Sequence, residues 1–263
     1  MTTYALLFEA RSIQRWIFAG GRLKDMVSAS ELVAELTCAP LDAALASLGL
    51  AGEGAGVRFA RRAAGAFYVF FDQRDAAEKL RDIWSLFVPR WAPYLEMLLI
   101  LAEGENDAEA LNKGLAQLGM ARNFQPVDLP EAGPFAERAP RTGLPACGIS
   151  HGEFVDAGLA RKRQFSISPG DGSERRFAGE ETGLKQALVF PRNLSPADVS
   201  EDEPWGLDFP FEGEDRRLAV IHADGNGLGQ VLHALSGLAG NYPEATARLY
   251  LGFSQALERA TES

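Results

Sequence analysis

The sequence predicts an α+β fold, and three observations lead there. Short apolar runs rich in branched and aromatic residues alternate with segments whose apolar residues recur at helical spacing. None of these runs approaches the length of about 20 residues needed to span a bilayer. The composition, 46% hydrophobic and 24% charged over 263 residues, gives ample core for a globular chain of about two domains.

Residues 4–9 read as a strand, and residues 12–18 followed by 28–48 read as helix, with Leu32, Val33, Leu36, Leu41, Leu45 and Leu48 on one apolar stripe. Ser28 and Ser30 are read as caps at the start of that second helix. Residues 57–61 and 66–71 are two short strands around Arg62-Ala63-Ala64-Gly65, a hairpin spacing. Residues 75–88 follow as an amphipathic helix carrying Ala76, Leu80, Ile83, Trp84 and Phe87, and residues 94–101 as a last strand. Strand, helix, strand, strand, helix, strand is the split βαβ of ferredoxin-like folds, in which both helices cover one face of an antiparallel sheet and leave the other free. Polymerase and nucleotide-cyclase palms are built on it. This first palm occupies residues 1–104.

Residues 105–215 read as a linker or helical insert: a helix over 106–119, a proline- and glycine-rich stretch over 126–145, a basic loop over 160–176 with Arg161, Lys162, Arg163, Arg175 and Arg176, and an acidic stretch over 195–215. Residues 216–263 form the last segment. There the run Leu218-Ala219-Val220-Ile221 ends on Asp224, and glycines open a helix with Leu228, Val231, Leu232, Leu235 and Leu238 at helical spacing.

A carboxylate at a strand's end followed by glycines is suited to a hard cation and a phosphate. Mg²⁺ takes one or two carboxylates plus phosphate oxygens, and glycines let backbone groups approach the same anion. Asp224, Gly225, Asn226 and Gly227 could supply both. The alternative is an ordinary strand-turn-helix connection in which Asp and Asn serve as turn formers and caps.

The remaining composition narrows the classes. A net charge of −10 and a pI near 4.9 disfavour a surface that sheathes nucleic acid. Cys38 and Cys147 are far apart and lack zinc spacing, so they read as quiet buried thiols in a reducing cytoplasm. The terminus Met1-Thr2-Thr3-Tyr4 has no basic leader region, and no membrane association is expected. His222 and His233 straddle Asp224 but read as packing or surface residues, since imidazole suits softer metals than Mg²⁺. Trp16, Trp84, Trp91 and Trp205 read as core or interface anchors.

The stretch from Leu218 to Gly229, with Ala223-Asp224-Gly225-Asn226, resembles the opening of the second palm in the large polymerase-like subunit of type III CRISPR effectors, the Cas ten or Cmr-type large-subunit family. Leu6-Leu7-Phe8-Glu9, Ser12-Ile13-Gln14-Arg15-Trp16-Ile17-Phe18 and Ala29-Ser30-Glu31-Leu32-Val33 resemble that family's first palm, and Thr142-Gly143-Leu144-Pro145-Ala146 resembles an element between the palms. The resemblance implies a GGDEF-like palm shared with diguanylate cyclases, which uses Mg²⁺ or Mn²⁺ to join ATP into cyclic oligoadenylates as part of antiviral defence. It implies Asp224 as the catalytic, metal-bridging carboxylate, the Gly225 carbonyl as a metal ligand, and Asn226, Gly227, Gly229 and Ser30 as nucleotide contacts.

The chain departs from that pattern in three places. No Gly-Gly-Asp-Asp hairpin occurs in these residues, Ala64-Gly65-Ala66-Phe67 stands where a catalytic first palm carries glycines and acids, and the zinc-ribbon cysteines are missing. The expectation is a fragment of a longer cyclase whose missing hairpin completes the site. The alternative is a catalytically inactive scaffold that binds other effector-complex subunits and guide RNA.

Overall fold

Strand β1 (Thr3–Arg11) has a central run, Ala5-Leu6-Leu7-Phe8, that is wholly buried. A strand apolar at successive positions has no solvent side, so it needs strands along both edges and cover on both faces. The computed structural model, which describes residues 2–52, 56–63, 65–124, 132–165 and 227–262, meets both needs. Strands β2 (Val57–Ala63), β3 (Ala66–Phe71) and β4 (Glu96–Gly104) join β1 in a sheet of order β2-β3-β1-β4. Every pairing in it is antiparallel. The predicted α+β class and the four strands predicted within residues 1–104 are present.

The described residues fall into two compact units. One is drawn from Met1–Ile13, Leu32–Leu129 and Gly229–Glu262, the other from Gln14–Glu31 and Pro130–Leu228.

In the first unit, one sheet face carries Phe8 and Phe67, whose rings pack with Trp84 of helix α4 (Arg74–Trp91) at centroid distances of 5.1–5.6 Å. Trp84, Phe87 and Trp91 continue as a stack, and Trp91 Nε1 donates to the Leu32 carbonyl at 3.0 Å. The expected single helix over 28–48 is two, α2 (Leu23–Glu35) and α3 (Ala39–Ser47), after a short α1 (Ile13–Phe18). Pro40 causes the break: it has no N–H to donate, and its ring excludes a helical carbonyl four residues back, yet it is at home in the first turn of α3. At the break the Thr37 carbonyl accepts from Arg62 Nε at 2.7 Å, and the Cys38 carbonyl, which opens α3 by accepting from Leu41 N and Asp42 N, also takes Arg62 Nη2 at 3.2 Å. Because α2 starts at Leu23, Ser28 and Ser30 lie inside the helix and cap nothing, which corrects the expected cap role.

The opposite face, expected to be free, is covered. Ala5, Leu7, Tyr68 and Phe70 of the sheet form one buried cluster with Ala110, Leu111 and Leu118 of α5 (Asp107–Arg122), Ala239 of α7 (Leu228–Asn241), and Ala247 and Tyr250 of α8 (Thr246–Glu262). Helical spacing located the α7 stripe but not the side that faces the core. Leu235 packs there, whereas Val231, Leu232 and Leu238 are exposed.

Two glycines set close approaches. Gly65 turns the β2–β3 hairpin with φ +71°, and a Cβ there would lie 2.7 Å from Val33 Cγ1. Gly104 ends β4 where a Cβ would meet the backbone N of Ala110 at 2.4 Å, so a methyl group would push the start of α5 off the sheet. We expect Gly104→Ala to lower stability by about 1–3 kcal/mol, the usual cost of overpacking, read as a lower urea midpoint. Gly133→Ala, in open space, should leave that midpoint unchanged.

In the second unit, β5 (Gly148–Ser150) and β6 (Glu153–Val155) form a hairpin through His151 and Gly152, both at positive φ. Helix α6 (Ala157–Gln164) follows, capped by the Asp156 carboxylate, which accepts from Leu159 N at 3.0 Å. Arg161, Lys162 and Arg163, read as part of a solvated loop, are therefore helical, and Lys162 is buried. Arg175 and Arg176 lie outside the described residues.

Candidate functional site

Asp224, Gly225 and Asn226, with the strand expected before them, lie outside the described residues, as do Ala64, Trp205 and His222. Gly227 is exposed with φ +81°, and α7 begins at the next residue, as the glycine-opened helix predicts. Gly229 is in the first turn of α7, and Ser30 is an exposed residue of α2. Gly229 belongs to the first unit, Ser30 and Gly227 to the second. Among the described residues, no three His, Cys, Asp or Glu side chains are grouped to hold a metal ion. Nor is any helix there long and apolar enough to cross a membrane.

Glu9, which the strand read over residues 4–9 puts at its end, lies two residues inside β1 and can be described in full. It projects from β1 on the face shared with Tyr68 of β3. A bulge between Phe59 and Arg61 places Arg61 opposite Tyr68 on the same face. The Tyr68 hydroxyl donates to Glu9 Oε1. Arg122, in the last turn of α5, donates to both Glu9 oxygens, from Nη2 at 2.7 and 2.6 Å and from Nε at 3.1 Å. Arg61 Nη1 stands 3.8 Å from the same carboxylate and its guanidinium lies over the Tyr68 ring.

Burial, and then the hydrogen bond to Glu9, push the Tyr68 hydroxyl up to about 12. A carboxylate whose oxygens are committed to a guanidinium and a phenol has few lone pairs left for a metal ion. Glu9 thus ties β1, β3 and α5 together and does not present an open reactive group. Nearby, Ser12 holds Glu96 Oε2 at 3.0 Å from a left-handed backbone, φ +51°. Sequence reading marked Glu9 as a strand-end acid but not its partners, because Arg61 and Arg122 reach it only through the bulge and the turn count of α5.

The Thr-Gly-Leu-Pro-Ala element has a specific role in the second unit. Thr142 Oγ1 donates to Asp156 Oδ2 at 2.7 Å, the carboxylate that also caps α6. Two residues into the second turn, Lys162 is buried, donates to the Trp16 carbonyl and places its ammonium 4.4 Å from the Trp16 ring centroid. Trp16 is buried, as expected of an anchor; Cys38 and Cys147 are exposed, contrary to expectation, since both lie in short connections rather than under a helix.

No protein-family model matches the chain, and no curated protein matches it.

Two outcomes follow from these clusters. Glu9→Gln should bring the Tyr68 titration down from about 12 toward the ordinary 10.0 without reaching it, because burial remains, as read by tyrosinate absorbance. Burial lowers Lys162 from 10.5 to about 8 against the opposing fields of Asp156 and Asp25. Between those values the unfolded chain holds a proton that the folded chain has released, so this group's contribution to stability rises with pH across the window. Denaturation curves taken from pH 8 to pH 10 should show that rise, and Lys162→Met should flatten it.

Proposed function

We propose that the chain is part of a palm-type nucleotide-binding protein of antiviral defence, akin to the large subunit of type III CRISPR effectors. In this reading ATP is bound at the Asp224 turn, and the complete protein makes cyclic oligonucleotides. The observation that carries it is the conjunction of Ala223-Asp224-Gly225-Asn226 at the end of an apolar run with the two amino-terminal matches in the expected order. The strand order β2-β3-β1-β4, antiparallel throughout, supports the first palm, since a βαββαβ chain folded in the ferredoxin-like way has that order.

Asp224 and the Gly225 carbonyl would hold the divalent cation, Mg²⁺ or Mn²⁺, and Asn226, Gly227 and Gly229 would line the phosphates. The cation, when bound, neutralises triphosphate charge and lowers the cost of bringing a hydroxyl to it. The chain's own part is to fix the carboxylate at a strand end and to offer backbone N–H groups at the opening of α7. In the first palm, the Glu9 carboxylate closed off by Arg122 and Tyr68 suits a copy that contributes structure rather than chemistry.

That same closed cluster favours the second reading, an inactive scaffold whose palms hold partner subunits and guide RNA. Calorimetric titration of ATP distinguishes the two. Binding seen with Mg²⁺, abolished by EDTA and weakened at least about tenfold in Asp224→Ala, is expected from the nucleotide site. Equal affinity in Asp224→Ala would remove Asp224 from it, and absence of binding under every condition would leave the scaffold.

A further inference from the structure

Three arginines of the second unit converge on one carboxylate. Arg141 donates from Nε to Glu153 Oε1 at 2.7 Å, Arg163 from Nη2 to Oε2 at 2.8 Å, and Arg22 Nη2 stands 3.7 Å from that same Oε2. They arrive from separate parts of the unit: Arg22 directly precedes α2, Arg141 opens the Thr-Gly-Leu-Pro-Ala turn, and Arg163 is on α6. The other acid within reach, Asp25, is held loosely, with Arg163 Nε and Nη2 at 3.4 and 3.5 Å from its oxygens. Burial raises the Asp25 carboxyl despite the fields of Arg163, Arg22 and Lys24.

Arg163 Nη1 and Arg141 Nη1 also donate to the Ser150 and Gly20 carbonyls at 3.0 and 3.2 Å, yet each guanidinium carries five N–H donors in a planar fork matched to oxyanions, so donors remain. One is identified directly: Arg22 Nε is buried and has no hydrogen-bond partner. A buried charged donor without an acceptor is rare in folded proteins, and an anion at such a position satisfies both the hydrogen bond and the charge.

We propose that Arg22, Arg141 and Arg163 form a binding site for a phosphate-class oxyanion. Access is from the side of Arg141 and Glu153, whose side chains are 27% and 17% exposed, against 12% for Arg22 and 4% for Arg163. Glu153 occupies part of the guanidinium surface and competes with the incoming anion. The proposal is independent of the nucleotide site at Asp224, which needs a metal.

Thermal unfolding of the whole chain in EDTA, with inorganic phosphate compared against chloride at matched ionic strength, tests it with the metal-dependent site silent. The expected result is a saturable rise in midpoint of about 2–4 °C in phosphate alone. Arg22→Lys, which keeps the charge and lacks the Nε donor, should lose at least half of that rise. Glu153→Gln should bind phosphate several-fold more tightly, read by ³¹P line broadening, because the competing anion is gone. ATP in EDTA producing the same rise at lower concentration would assign the phosphate to a nucleotide; a response to inorganic phosphate only would assign it to the free ion. A midpoint no higher in phosphate than in chloride, or weaker binding by Glu153→Gln, would overturn the site and leave the arginines as an ion-pair network.

Discussion

The first unit depends on a sheet that has no polar face. All six residues of β3, from Ala66 to Phe71, are buried, as is the central run of β1, so these two neighbouring strands need cover above and below. Burying such side chains contributes about 1.5–3 kcal/mol each relative to exposure, and leaving either face open would forfeit that over several residues at once. The arrangement of helices follows. On one side the large ring of Trp84 fills the space over Phe8 and Phe67, and on the other the small residues of α5 and α7 let helices lie close to Leu7 and Phe70.

Covering both faces displaces polar groups to the rim, and there Arg58 and Glu9 are each held by charged partners. Arg58 on β2 is held by Asp107 at 2.8 and 3.0 Å and by Asp72 at 2.7 Å, joining the start of α5 to the sheet. Glu9 is answered by Arg122 at the other end of the same helix. The two ion pairs clamp α5 at both ends, while Gly104 lets its first turn approach the end of β4 and Gly114 lets its middle approach Leu7. Charged partners at partly buried positions are costly to break singly, because removing one leaves the other desolvated and unpaired. These pairs fix where α5 lies more than they add to net stability.

The strands were legible because their signal is local. Runs such as Phe67-Tyr68-Val69-Phe70-Phe71 carry it in side-chain type, and the hairpin turn is marked by Gly65. What escaped depends on contacts made at a distance. Within residues 28–48 the apolar residues keep helical spacing up to Leu36 and again from Leu41, so spacing within each half runs the helix on to Pro40, where backbone chemistry ends it. Lys162 sits in a basic tripeptide that reads as solvated, and only the capping of α6 by Asp156 turns it inward toward Trp16. The arginines beside Glu153 are separated by up to 141 positions, from Arg22 to Arg163, and no spacing rule joins them. Of the candidate site, the start of α7 after Gly227 was legible, since a glycine at positive φ ahead of an apolar-periodic segment is a local signal.

Glu9 and Asp224 differ in their sequence neighbours, and that difference bears on what each could do. Glu9 is followed by Ala10-Arg11-Ser12 and faces Tyr68, Arg61 and Arg122, so its lone pairs are taken by groups that also build the fold. Asp224 is followed in sequence by Gly225, Asn226 and Gly227, residues that bring no cation of their own. A carboxylate flanked by arginines has its charge neutralised within the chain, whereas one flanked by glycines leaves that charge to a ligand. On these physical grounds Glu9 serves the fold of its own sheet, and the nucleotide reading proposed above rests on Asp224 and not on Glu9.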